Sequence, residues 1–132
     1  MSLTYSNATR HAQNEGLIAY AGTGALFNLY GGVRPANANT AITSQPLLVS
    51  MPIAGVFGVD SDGTLTLSTV TQENATSSGA ATFFRIFKSD GVTVILDGSV
   101  GTASADLILN TVDIVSGQSV DITAGTIIRN NQ

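Results

Sequence analysis

The chain has 132 residues, the length of one ordinary domain, and only 11% of them are charged against 43% hydrophobic, well below the roughly 25% charge usual in soluble domains. Net charge is −4, and the five cations, Arg10, Arg34, Arg85, Lys88 and Arg129, are scattered, so no clustered basic patch exists to neutralise nucleic-acid phosphates or to seek an anionic membrane. Cysteine is absent, which excludes disulfides, thiolate nucleophiles and thiolate metal sites.

So little charge leaves the surface to Ser, Thr, Asn, Gly and small apolar residues, a surface suited to burial against other subunits, and a homo-oligomer is expected. Residues 1–16 have no apolar core of the signal-peptide kind, and no apolar run approaches the roughly eighteen residues of a membrane span. The expectation is a soluble single domain over 1–132, made in a cytoplasm, with neither nucleic acid nor membrane as partner. Asn7-Ala8-Thr9 and Asn74-Ala75-Thr76 match the glycosylation sequon, and without an export signal they read as chance matches.

Ser6 to Ala21 reads as the one helix. Ser6 or Asn7 can cap it, and Ala8, Ala12, Leu17, Ile18, Ala19 and Tyr20 supply a short apolar stripe. Gly16 weakens it and Gly22-Thr23-Gly24 ends it. Residues 1–22 thus form a helical arm or cap, covering the core or docking on a neighbouring subunit.

From Ala25 the period becomes two. Leu26, Asn28 and Tyr30 alternate against Phe27 and Leu29, and Gly31-Gly32 closes the strand. Val33 to Ala41 has no hydrophobic period, and Pro35 forces Arg34 toward extended backbone. A loop of this length in a compact domain is often functional, and it reads here as a contact loop with Arg34 as its polar anchor. Tyr30, Arg34, Pro35, Asn37 and Asn39 are the candidate interface.

Pro46 to Pro52 is an apolar strand bracketed by prolines, which places it near a sheet edge. Val56 to Val59 reads as an irregular apolar segment over one end of the core. Asp60-Ser61-Asp62-Gly63 turns the chain into Thr64 to Thr71, a half-exposed strand with Leu65 and Leu67 on one face. Residues 73–79 read as a polar linker.

The next stretch reads as a hairpin. Ala81 to Lys88 and Val92 to Leu96 are its arms, joined by Ser89-Asp90-Gly91. The first arm is apolar on both faces: Phe83 and Phe87 share one with Arg85, while Phe84 and Ile86 share the other. A strand of that kind is buried on both sides. The cover for the outer face is therefore the N-terminal helix or a neighbouring subunit. Phe83, Phe84, Arg85 and Phe87 are core or ion-pair residues, with Asp97 or Asp106 as the partner of Arg85.

Asp97 to Gly101 reads as a further turn. Asp106 to Leu109 and Val112 to Val115 are short strands, and Ser119 to Arg129 is the last, with a bulge at Gly125. Repeated short strands with Gly or Asp turns describe an all-β fold, a β-sandwich of jelly-roll type with one short N-terminal helix.

Catalytic chemistry finds no footing. His11 is the sole histidine and lies in the helix, so no serine or cysteine triad can be assembled. Asp60, Asp62, Asp90 and Asp97 sit in Asp-Gly or Asp-Ser-Asp-Gly segments, which turn chemistry explains. Asp60-Ser61-Asp62-Gly63 opens like a calcium loop but has Leu65 at the sixth position and no Glu at the twelfth, so a tight turn is expected there. No catalytic residue, cofactor or metal is expected.

At Leu29-Tyr30-Gly31-Gly32-Val33-Arg34-Pro35-Ala36-Asn37 the chain resembles a group of small proteins encoded in the structural-gene region of tailed bacteriophages. In that group a helix precedes a strand ending in a YDGTRPA-type loop, and a later segment has the form ATWFRIVDSDGT.V.DGSVG. The matching pieces are Tyr30 to Ala36, Ala81 to Gly91, and Asp97 to Gly101. Gly31-Gly32 replaces the Asp-Gly pair, and Phe83-Phe84 stands where Trp-Phe is expected. The resemblance implies a non-enzymatic virion component, with the major capsid protein or other virion proteins as partners and the virion as location. A head decoration or cement subunit is expected first, a neck, collar or tail position next. A carbohydrate-binding adhesin module, built on the Arg34 loop and nearby tyrosines, is the contrasting expectation.

Overall fold

A computed structural model describes residues 4–109, 111–120 and 126–128, and over them the chain is a mainly β fold with one short helix. Helix α1 (Asn7–Ala21) starts where predicted because Ser6 is extended (φ −64°, ψ 160°) and its hydroxyl accepts the Thr9 N–H at 3.1 Å. It ends where the Gly22 N–H closes onto the Ile18 carbonyl at 3.2 Å. The strands in chain order are β1 (Leu26–Tyr30), β2 (Leu47–Pro52), β3 (Gly58–Ser61), β4 (Thr64–Leu67), β5 (Glu73–Asn74) and β6 (Gly79–Ala80). They continue as β7 (Phe83–Phe87), β8 (Val94–Gly101), β9 (Leu107–Ile108), β10 (Asp113–Ile114), β11 (Ser119–Val120) and β12 (Thr126–Ile128).

The principal sheet has the order β2-β1-β7-β8-β9, antiparallel except for the parallel β8–β9 pair. A second sheet, β12-β4-β3, is antiparallel, and β10-β6 and β11-β5 are small ribbons. Phe27, Leu29, Phe84 and Ile86 from the principal sheet share one core cluster with Phe57 and Leu65 from the β3–β4 region. Phe27 and Phe84 stack there at 4.8 Å. The alternation read for β1 and β7 continues on the opposite face, where Tyr30, Phe83 and Phe87 form a second cluster with Leu26, Ile42 and Val94. Tyr30 and Phe83 are register partners and their rings stack at 5.1 Å.

That second cluster corrects one expectation. The cover that the chain itself supplies to the outer face of β7 is not the helix: the loop that follows β1 folds back over it, placing Ile42 against the aromatic cluster and bonding through Asn37 and Thr40 to Arg85. Helix α1 instead packs on β3 and β4. Its inward residues are Asn14 and Ala21, with Leu17 and Ile18 partly buried, whereas Ala8, Ala12, Ala19 and Tyr20 are exposed.

Other boundaries moved for local reasons. Asp97 to Gly101 is not a turn but the second half of β8, because Arg85↔Asp97 and Phe84↔Gly98 continue the β7–β8 register. Val56 to Val59 is only partly irregular: Phe57 is fully buried and β3 begins at Gly58. The strand predicted over 64–71 stops at Leu67, and Val70 pairs separately with Ile53. The linker over 73–79 contributes β5 and the start of β6. The edge strand β2 is bracketed as expected, and its outer carbonyls at Leu48 and Pro52 are taken by the N–H groups of Thr76 and Thr71. The bulge expected at Gly125 lies outside the described residues.

Candidate interface around the Arg34 loop

The loop between β1 and β2 is held from within and from below. The Asn37 side-chain oxygen accepts the Asn39 N–H at 2.9 Å, and the Asn37 carbonyl accepts the Thr40 N–H at 3.0 Å, a side-chain-closed turn. Gln45 donates to the Val33 carbonyl at 2.7 Å and ties the two ends of the loop together. Pro35 is buried.

Beneath the loop sits Arg85, only 1% exposed. Its Nη1 donates to the Thr40 carbonyl at 2.7 Å and its Nη2 to the Asn37 carbonyl at 3.2 Å. Nη2 also pairs with Asp97 Oδ2 at 3.1 Å. Of the two carboxylates considered, Asp97 is thus the partner, because it stands directly across from Arg85 in the β7–β8 register. Asp106 instead accepts the Ser99 N–H at 2.9 Å. The other oxygen of Asp97 takes Arg34 Nη2, also at 3.1 Å. One buried carboxylate therefore joins the strand arginine to the loop arginine. A charge taken from water needs this combination of ion pair and hydrogen bonds to be tolerated.

Of the sequence-predicted interface residues, Tyr30 and Pro35 are interior and serve as support. Arg34, Asn37 and Asn39 are exposed, with Val33 beside them. Phe83, Phe84, Arg85 and Phe87 are all buried. Next to the loop lies an open cleft of about 360 Å³, lined by Tyr30, Ile42, Arg85, Phe87, Val92 and Val94, whose size is that of small ligand clefts. Val92 on its rim is largely exposed. It follows a turn in which Asp90 accepts from the N–H groups of Val92 and Thr93 and from the Thr93 hydroxyl. These bonds, the hydroxyl first, hold the Asp90 carboxyl down to about 2.

A second polar cluster was not legible in the sequence. His11 on α1 bonds Asp60 of β3 through Nδ1, and Asn14 donates to the same carboxylate at 2.5 Å and to the Gly63 carbonyl at 3.1 Å. The Gly63 N–H also reaches Asp60, at 3.3 Å. Burial pushes the Asp60 carboxyl up, but the bonds from Asn14, His11 and Gly63 together outweigh it and hold the group below its usual value. The bond to Asp60 in turn raises His11, with smaller support from Glu15 and Asp62. The Asp-Ser-Asp-Gly segment is a two-residue hairpin connection: Asp62 (φ 53°) and Gly63 (φ 90°) both take positive φ, as a type I′ turn requires. The signal available in the sequence was the spacing of Asn7, Arg10 and Asn14 on one helical face, which only a partner could give meaning.

Among the described residues no group of three or more His, Cys, Asp or Glu side chains is placed to hold a metal ion, and no helix is long and apolar enough to cross a membrane. Comparison with protein-family models, with curated proteins and with solved structures returns no match to this chain.

Proposed function

We propose that this chain is a non-enzymatic structural protein of a tailed-bacteriophage virion, a decoration or cement subunit that binds the major capsid protein and stabilises the head shell, built as a β-sandwich of jelly-roll type. One observation carries the reading. The three segments through which the chain resembles such phage proteins, Tyr30 to Ala36, Ala81 to Gly91 and Asp97 to Gly101, each contribute one member of the Arg34–Asp97–Arg85 cluster. The polar residues of the motif are spent on fixing a loop, and what the loop then presents is Val33, Arg34, Asn37 and Asn39. A pre-ordered Arg beside an apolar residue is a composition that favours protein contact, because little side-chain entropy remains to be lost. The shortage of surface charge supports the same reading.

Mass spectrometry of particles of the encoding phage tests it. A cement subunit is expected near stoichiometric ratio to the major capsid protein; a few copies would move the chain to the neck, collar or tail, and its absence would overturn the virion reading. Arg34→Ala is expected to lower occupancy on the particle while leaving folding intact, and unchanged occupancy would remove the loop from the interface. The carbohydrate-binding reading rests on the cleft beside the loop, but Tyr30 is stacked against Phe83 and offers no free face to a sugar ring. Specific binding of the isolated domain on a glycan array would reverse that preference.

A further inference from the structure

The seam between α1 and the β3–β4 hairpin is built unevenly. Toward the helix C-terminus, Leu17, Ile18 and Ala21 pack on the main core. Toward the N-terminus the contacts are polar: His11 and Asn14 on Asp60, Asn14 on the Gly63 carbonyl, Asn7 on Asp62 at 3.2 Å, and the Arg10 side chain lying over Gly63. Among the described residues five buried side-chain polar atoms have no hydrogen-bond partner, and three of them, Arg10 Nε, Gln13 Oε1 and Asn14 Oδ1, belong to this half of α1. Unpaired buried polar atoms weaken a docked segment relative to its solvated, undocked form. Among the described residues His11 with Asp60 is the ion pair that crosses the seam, and it adds to the Asn7 and Asn14 bonds in holding the N-terminal turns down. His11 is half exposed while the Asp60 side chain is fully buried, so solvent reaches the imidazole and can take its proton.

We propose that α1 is a latch that opens from its N-terminal end: when the His11 imidazolium gives its proton to solvent, residues 7–15 undock from the β3–β4 turn while Leu17, Ile18 and Ala21 keep the C-terminal turns in place. The groups facing His11 fix the direction of the response. Asp60 from β3 bonds it, Asp62 from the turn and Glu15, 4.0 Å away on the same helix, are further carboxylates, and Arg10 on the helix is the nearby cation lying over the turn. Three acids against one base favour the protonated ring, so the latch is closed in mild acid and loosens as pH rises past the raised value of His11. Opening leaves the rest of the fold in place, because Leu17, Ile18 and Ala21 stay on the main core and the Lys88 ammonium, 3.7 Å over the Tyr20 ring, ties the C-terminal turns to the end of β7.

Amide hydrogen exchange of the full chain, corrected for intrinsic rates, reads this directly. Between about pH 5.5 and about pH 8.5, protection of the amides of residues 11–15 is expected to fall at least about fivefold, while that of residues 19–22 and of β1 and β7 is unchanged. His11→Gln keeps a hydrogen-bonding side chain without a titrating proton and is expected to abolish the pH dependence. Asp60→Asn is expected to show the open-state protection at both pH values. Equal protection of residues 11–15 at the two pH values in the wild type, loss of protection along the whole helix together with β1 and β7, or wild-type pH dependence surviving in His11→Gln would each overturn the proposal.

Discussion

Asp97 serves two arginines in unequal surroundings, and the inequality sets what each is worth. Arg85 is enclosed, so Asp97→Ala strands a buried guanidinium with only the Thr40 and Asn37 carbonyls, a loss of about 3 kcal/mol. Arg34 is 39% exposed at its side chain, where screening and side-chain entropy cancel most of the attraction, and Arg34→Ala is expected to cost less than about 1 kcal/mol. Urea unfolding of the two variants separates these values; equal losses would show that Arg85 does not depend on the carboxylate. The sequence announced Arg85, because an arginine between four apolar neighbours in Phe83 to Phe87 must find a partner. It could not choose between Asp97 and Asp106, since strand register alone decides which carboxylate stands opposite.

Among the elements, β8 shows how the same residues carry different meanings in different neighbourhoods. An Asp-Gly pair reads as a turn, yet Gly98 sits inside a strand because the Phe84 ring lies over it: a Cβ there would come within 2.6 Å of two ring atoms and 3.1 Å of the Asp106 Cβ. Phe84 is stacked on Phe27 and has nowhere to go. Gly98→Ala is therefore expected to destabilise by about 1–3 kcal/mol, an overpacking penalty. Gly16, mid-helix with nothing within 4 Å of an added Cβ, gives the opposite sign: Gly16→Ala is expected to stabilise by about 0.5–1 kcal/mol. Denaturant midpoints of the two variants should move in opposite directions, and a shift of the same sign in both would contradict the packing described for β8. The helix boundaries were legible because Ser6 and Gly22 are local signals. Its packed face was not, since the stripe that looked apolar, Ala8, Ala12 and Ala19, yields to Asn14, which finds its bonds only on β3.

For the molecule as a whole, three groups among the described residues shape stability against pH. The Asp60 and Asp90 carboxyls are both held below their ordinary 3.8, so their contribution is present above that value and is lost as pH falls through their folded values, about 2 for Asp90. His11 is raised above 6.5, so its contribution is complete below 6.5 and is lost as pH climbs through the folded value. A plateau between 3.8 and 6.5 with a decline on each side is the expected profile of the urea midpoint, and His11→Gln should flatten the alkaline side alone. An unchanged alkaline decline in that variant would assign it to another group. By itself the sequence determined the class of fold, the capped helix and the two-sided burial of Phe83 to Phe87, because these follow from short-range periodicity and local capping. Only the tertiary structure decided what covers the outer face of β7, which carboxylate clamps Arg85 and Arg34, and that His11 meets Asp60. These are contacts between residues 12 to 63 positions apart, and their identity is fixed by register and loop path rather than by any neighbour in the chain. The hairpin thus reads as a two-faced strand in the sequence, and folding gave its second face to the Arg34 loop.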